Sequence, residues 1–348
     1  MSAHPDEGFL ALLVQRGHLE LDQARGLLPS LREGGSLDAL LVEHAGWTED
    51  KVRLLRRTRA GEQPLLPGYE VLGRLGVGGT AEVFRARDKR DGGRTVALKI
   101  LDARLVRDPR ALRSFVREAK MLTELSHPGL CRGHGIKKAG ETVFAVLEWI
   151  EGQTLLELLE ERSQPLPESQ ALEIVLQVAE ALAHLGAAGL VHRDVKPGNV
   201  MLTPRGEVKL IDLGFCAPAG EQAAADSATG TAEYLAPEQA VGGGAADLRS
   251  DVYSLGATLF QLTIGRLPFE PGEDDDVLRQ HVMERLSSPE LKGRGHSAHL
   301  RYFIEKMMAK DADLRYQSWE ELLEDMRAQV EGARRADFKG DGGRRGRG

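Results

Sequence analysis

The sequence predicts an α+β protein: a small β-rich lobe, a larger α-helical lobe after it, and a small all-α module ahead of both. Three observations carry that reading. Between Tyr69 and about Val143 short apolar runs alternate with Gly, Asp and Lys turns, the pattern of half-buried strands. From there onward the apolar residues fall at helical spacing over long stretches. Before Tyr69, glycines separate several short runs at helical spacing. At 348 residues the chain has room for two or three structural units.

The composition narrows the class. Hydrophobic residues make up 41% and charged residues 28%, the profile of a globular protein. A net charge of -7 argues against bulk nucleic acid or an anionic membrane as the main partner. The longest apolar run, Ala171 to Val191, is interrupted by Glu173, Gln177, Glu180 and His184, so no membrane insertion is expected. "MSAHPDEGF" has no basic region before an apolar stretch, so no secretory signal is expected. Two distant cysteines, Cys131 and Cys216, make neither a disulfide framework nor a Cys-based zinc site, and a cytoplasmic location fits.

Residues 1–61 read as a helical accessory module. Its apolar sets are Leu10, Leu13 and Val14; Ala24, Leu27, Leu28 and Leu31; Leu37, Leu40 and Leu41; Val52 and Leu55. "GHLELDQARGLL" and "GWTEDKVRLL" look like two copies of one turn-plus-helix unit, the second with a capping start at Thr48, Glu49 and Asp50. Pro64 and Pro67 mark residues 62–68 as a linker. "YEVLGRLGV", "AEVFRARD" and "TVALKIL" follow as strands. Asp108 and Pro109 then open a helix through Phe115, Val116, Ala119, Leu122 and Leu125. Pro165 and Pro167 precede an amphipathic helix ending at Gly189, and Ser250 is expected to cap "DVYSLGATLFQLTIG". The second domain is expected to span 69–330, and 331–348 to be a disordered Gly/Arg-rich tail.

Four stretches carry candidate chemistry. In Gly76-Val77-Gly78-Gly79-Thr80-Ala81-Glu82-Val83, glycines between two strands let backbone N–H groups approach phosphates, or simply close a hairpin. A Rossmann fingerprint is excluded because a strand, not a helix, follows. Lys99 in "VALKI" lies on an alternating strand where a charge needs a partner: phosphate oxygens, or a carboxylate such as Glu118 on the inward face of its helix. In "LVHRDVKPGNVML", Asp194 can accept a hydroxyl proton, Lys196 can meet charge on a phosphoryl group and Asn199 can bind a metal ion. Asp212 in "VKLIDLG" supplies a second oxygen of the kind Mg2+ prefers.

In this order the motifs resemble the eukaryotic-type (Hanks-type) protein kinases, and within them the Ser/Thr kinases of bacteria. The resemblance runs from Tyr69 to about Val330 through the Gly-rich loop, "VALK", Glu118, "EWI", "HRDVKPGN", "DLG", "APE", "SDVYSLG" and Arg315. It implies the bilobal protein kinase fold, ATP and Mg2+ as cofactors, and protein substrates phosphorylated on Ser or Thr. It further implies that Leu75, Gly76 through Val83 and Ala97 enclose the nucleotide and that Glu148 and Ile150 offer backbone hydrogen bonds to adenine beside a Leu147 gatekeeper. Lys99, paired to Glu118, would grip the phosphates. Asn199 and Asp212 would hold metal, and Asp194 would align the hydroxyl with Lys196 at the phosphate. Asp251 would brace the catalytic loop and Glu238 would pair with Arg315.

Two positions depart from the family pattern. Ala81 stands at the third glycine and Leu213 at the usual Phe; neither change removes a charged group, so an active enzyme is expected. Arg193 beside Asp194 marks the kinases whose activation segment is ordered by phosphorylation, with Ser227, Thr229 and Thr231 as candidates. The acidic run Glu273 to Asp276 is expected to be a solvated loop, His192 a packing residue and Cys216 a buried thiol. Residues 1–61 are expected to offer a docking or regulatory surface.

Overall fold

The computed structural model describes residues 6–15, 19–32, 34–48, 52, 64, 66–162, 164–221, 232–240, 246–269, 272, 274–284, 286, 291 and 295–342. Two compact units divide the chain, Met1–Arg104 with Lys137–Phe144, and Leu105–Ile136 with Ala145–Gly348.

The first unit opens with α1 (Glu7–Gln15), α2 (Leu21–Arg32) and α3 (Leu37–Ala45). Their helix-spaced residues, among them Leu10, Leu13, Leu27, Leu31, Leu37 and Leu41, close a small core with Phe9 and Trp47. α3 stops at Gly46, whose left-handed backbone (φ 65°) returns its N–H to the Leu41 carbonyl. Glu49, Asp50 and Leu55 lie outside the described residues.

The strands β1 (Tyr69–Val77), β2 (Ala81–Asp88) and β3 (Arg94–Leu101) follow, with β2 antiparallel to both neighbours. Directly opposed residues share a face, so Val83, paired with Lys99, lies with Ala97 and Lys99 on one side of the sheet. Phe84, Val96 and Leu98 bury on the other side. β4 (Gly133–Ala139) and β5 (Thr142–Glu148) complete a five-stranded sheet in the order β1-β2-β3-β5-β4.

In the second unit α4 (Pro109–Glu124) starts as read, the Asp108 carboxylate accepting the Arg110 N–H at 2.8 Å. It turns Phe115, Glu118, Ala119 and Leu122 inward. After β6 (Gln153–Thr154), α5 (Leu155–Glu161) begins with a capping box between Thr154 and Glu157. α6 (Glu168–Ala187) packs against α8 (Leu248–Ile264) and α11 (Trp319–Gly342). α8 is buried around nearly its whole circumference, from Ser250 through Thr263, as befits the central helix of a lobe. The remaining elements are the short strands β7 (Leu190–Val191), β8 (Val200–Leu202), β9 (Val208–Leu210) and β10 (Ala217–Pro218), and the helices α7 (Pro237–Ala240), α9 (Asp274–Met283) and α10 (Ala298–Met307).

Three expectations need correction. The cap of α8 is Asp247, whose carboxylate accepts the Arg249 N–H, while Ser250 sits inside the first turn and donates its hydroxyl to Glu238 at 2.8 Å. Asp274 to Asp276 open α9 instead of forming a loop, a place where acidic residues favour the helix macrodipole. The expected disordered tail is helical as far as Gly342: the glutamate, alanines and arginines after Val330 are good helix formers, and Gly/Arg enrichment begins only near Gly340.

The Glu238–Arg315 pair closes this unit. Arg315 is fully buried and uses all five of its N–H groups. Two go to the Glu238 oxygens at 2.8 and 2.9 Å, the others to the carbonyls of Ala309, Arg249 and Lys310. Burial pushes the Glu238 carboxyl up, but Arg315 and the Ser250 hydroxyl outweigh it and hold the group below its ordinary 4.5. A carboxyl depressed on folding adds stability above its unfolded value and loses it as pH falls through the folded one. Breaking such a pair by removing one partner costs about 3 kcal/mol or more. Arg315→Met is therefore expected to lower the free energy of urea unfolding at pH 7 by about that amount. Glu238→Gln should flatten the loss of stability below about pH 4.5.

Candidate active site

The stretch Leu190 to Leu202 is a loop held at both ends. β7 pairs antiparallel with β10, and β8 pairs with β9, Val200 opposite Leu210. That second hairpin brings Asn199 beside the Asp212 stretch, where the Ile211 N–H donates to the Asn199 carbonyl at 3.1 Å. From below, the Asp251 carboxylate on α8 accepts the backbone N–H groups of His192 and Arg193, each at 2.7 Å. Asp251 is buried, which pushes its carboxyl up, and the two N–H donors and the Arg193 charge oppose that shift. Arg193 takes a left-handed backbone (φ 69°), unique among the described non-glycine residues. Such a conformation persists only where its surroundings impose it.

Within the loop the side chains converge on Asp194. Lys196 Nζ lies 3.0 and 2.8 Å from its two carboxylate oxygens. Asn199 Nδ2 donates to its Oδ2 and to its main-chain carbonyl, both at 2.8 Å. Both of those partners only accept, so the amide end of Asn199 faces Asp194 and its Oδ1 points away, available to a hard cation. His192 is buried, its Nδ1 accepting the Asp194 N–H at 3.3 Å.

Asp212 follows β9, its Oδ1 accepting the Gly214 N–H at 2.8 Å. A methyl group on Gly214 would lie 3.0 Å from that oxygen and 3.7 Å from Glu118 Oε2. The Glu118 carboxylate on α4 therefore reaches the Asp212–Gly214 turn. Leu213 and Leu122 are both buried. Arg117 donates to the Cys216 carbonyl at 3.1 Å, and burial pushes the Cys216 thiol up to about 12, so it is the inert thiol expected.

At the end of β5, Glu148 donates its N–H to the Arg132 carbonyl and accepts the Arg132 N–H on its side chain, both at 2.8 Å. Lys209 closes on the same carboxylate at 2.6 Å. Ile150 is buried just beyond. In the first unit the loop from Leu75 to Thr80 is exposed, and Gly78 closes its hairpin by donating to the Ala81 carbonyl at 2.8 Å. Ala97 and Lys99 are half-buried on β3. Ser227, Thr229 and Thr231 lie outside the described residues.

Residues 69–326 match the protein kinase domain family. This chain belongs to the protein kinases. It is 39% identical over 275 residues to a probable serine/threonine-protein kinase of Streptomyces coelicolor, covering 76% of this chain and 40% of that protein. It is 38% identical over 270 residues to the serine/threonine-protein kinase PknB of Mycobacterium leprae, covering 74% and 42%. It is 32% identical over 281 residues to a probable PknB of Lactococcus lactis, covering 78% and 43%. The kinase thus falls in the bacterial branch of the Hanks-type Ser/Thr kinases, and it spans about two fifths of the length of these relatives.

The departures from the kinase pattern are accommodated. Ala81 is buried at the start of β2 opposite Leu101, whereas Gly76, Gly78 and Gly79 are exposed. Sequence reasoning missed Lys209 and Arg132, which pin the Glu148 side chain. A lysine in a two-sided strand run was the available signal, by the argument applied to Lys99. Gly214 tests the geometry. At 3.0 Å a new methyl forces the Asp212 carboxylate to move by a few tenths of an ångström. Gly214→Ala is expected to raise the Mg2+ concentration for half-maximal phosphate transfer several-fold, read from a magnesium titration at saturating ATP.

Proposed function

We propose that this protein transfers the γ-phosphate of ATP to Ser and Thr hydroxyls of protein substrates. The observation that carries the reading is the Asp194 carboxylate, held by Lys196 and Asn199 on a loop whose backbone is fixed from beneath by Asp251. In that place Asp194 orients the incoming hydroxyl and accepts its proton as the oxygen attacks phosphorus. Lys196, 2.8 Å away, meets the charge of the phosphoryl group in flight. Such catalysis is mostly positioning and charge stabilisation.

Asn199 Oδ1 and the Asp212 carboxylate are the oxygen donors for Mg2+, an amide carbonyl and a carboxylate of the kind that ion accepts alongside phosphate. The bound metal supplies neutralisation of the phosphate charge. Leu75, the loop from Gly76 to Val83, and Ala97 cover the nucleotide. Glu148 and Ile150 hold adenine through their backbones, and Lys99 with Glu118 grips the phosphates.

Activity is raised by autophosphorylation at Thr229 or Ser227. In support, Arg193 donates to the carbonyls of Pro218 and Glu221, just before that stretch, and its buried Nε has no hydrogen-bond partner among the described residues. Residues 1–61 serve as a docking or regulatory module. The protein's action is placed in the cytoplasm; no helix among the described residues is long and apolar enough to cross a membrane.

Asp194→Asn and Lys99→Ala are each expected to lower radiolabelled transfer, to the enzyme itself and to a generic protein substrate, by at least about a hundredfold. Both should leave thermal stability intact, and EDTA should stop the wild-type reaction. Peptide mapping of the same incubations should place phosphate at Thr229 or Ser227. A folded wild-type protein that transfers no phosphate would overturn the reading, and full activity with an unmodified segment would overturn the regulatory part.

A further inference from the structure

A second buried polar chain runs through the larger unit. Its centre is His281 on α9, with no solvent exposure. On one side its Nδ1 lies 2.9 Å from the Tyr253 hydroxyl of α8; on the other its Nε2 lies 3.0 Å from the Glu233 main-chain carbonyl. Behind Tyr253, Lys310 Nζ approaches the same hydroxyl at 3.2 Å and donates to the carbonyls of Gln280 and His281. Phe269 covers the assembly, its ring 4.8 Å from that of His281 and 4.3 Å from Lys310 Nζ.

The donor directions follow from chemistry. A carbonyl only accepts, so His281 Nε2 carries the proton towards Glu233. An ammonium only donates, so the Tyr253 oxygen accepts from Lys310 and sends its own proton to His281 Nδ1. The chain therefore reads Lys310 to Tyr253 to His281 to the Glu233 carbonyl, and it needs a neutral imidazole. Burial, helped by the Lys310 charge, pushes His281 down to about 4 and keeps it neutral.

The carbonyl at the end of this chain belongs to a segment beside the catalytic loop. Glu233 lies in the turn Ala232–Tyr234. Five residues after Tyr234, Gln239 accepts the Ala236 N–H and donates to the Arg193 carbonyl, each at 3.4 Å, immediately before Asp194. Through Gln239 this segment is tied to the residue before Asp194, the place at which a polypeptide must present its hydroxyl. That turn is held by the Tyr234 hydroxyl on Gln261 and by His281 on Glu233.

We propose that His281 is a positioning residue for the protein substrate, fixing the turn Ala232–Tyr234 through the Glu233 carbonyl and so setting the affinity for the polypeptide flanking the phosphorylated hydroxyl. The proposal rests on the phosphotransfer reading. It predicts that the substrate side of the reaction depends on His281 while the nucleotide side does not.

Two isosteres separate positioning from simple packing. Asparagine reproduces Nδ1 and keeps a partner for Tyr253 but cannot reach Glu233. Glutamine places an amide N–H near Nε2 and retains the Glu233 contact. His281→Asn is expected to raise the KM for a generic protein substrate about tenfold, with KM for ATP unchanged, the loss of about one hydrogen bond. His281→Gln should stay within about twofold of wild type. Hydrogen exchange read by mass spectrometry should show faster exchange across residues 232–236 in the Asn variant alone. Equal behaviour of the two variants, or a shift in KM for ATP, would overturn the proposal. Should wild type transfer no phosphate, the function assigned above fails, and the exchange of residues 232–236 alone still decides whether His281 holds the turn.

Discussion

Two backbone N–H groups pointing at one buried carboxylate organise the larger unit. Asp251 stands on the most completely buried helix and receives the amides of His192 and Arg193 at 2.7 Å. A carboxylate offers acceptors only, and two charge-assisted bonds are enough to hold Arg193 in a left-handed backbone that an arginine rarely adopts. That local reversal turns Asp194 towards Lys196 and Asn199 and sends the Arg193 guanidinium back to Pro218 and Glu221. The strain of one residue is thereby used twice, for the catalytic carboxylate and for the start of the activation segment.

The same helix holds the substrate side. Ser250, one residue before Asp251, bonds Glu238, and Tyr253, two residues after it, lies under the Arg315 guanidinium and against His281. Three polar contacts within one turn of α8 therefore reach the catalytic loop, the Glu238–Arg315 pair and the Glu233 turn. Each is buried and each is satisfied by a partner of opposite character, the condition under which buried polar groups order a structure instead of weakening it. A rigid central helix with fixed polar outlets suits catalysis that works by placement more than by covalent chemistry.

Much of this was legible in the sequence. β1 and β2 coincide with "YEVLGRLGV" and "AEVFRARD" because alternating burial leaves a period-two trace. Asp108 before Pro109 announced its helix because capping is local chemistry. Asp194, Lys196, Asn199 and Asp212 were read as a set from the order of their motifs and the kinase resemblance, and the short β8–β9 hairpin lies between their two segments. Several of the failures share one physical source. Ser250 is a good cap residue by type, but Asp247 lies earlier and takes the role, which frees Ser250 for Glu238. Tyr253, His281 and Lys310 carry no local signal, since their partners lie tens of residues away. Long-range satisfaction of buried polar groups is what a single sequence leaves unstated.

Replacing Asp251 by asparagine tests this dependence most directly. The change keeps shape and removes one of two acceptors, setting an amide N–H against a backbone N–H. With kcat and nucleotide affinity measured on the same folded protein, Asp251→Asn should lose at least about a hundredfold in kcat, the scale set by misplacing a catalytic group by about 1 Å, while ATP binds as before. A kcat within about twofold of wild type would show that the catalytic loop holds its geometry without the carboxylate and would contradict the role given to Asp251.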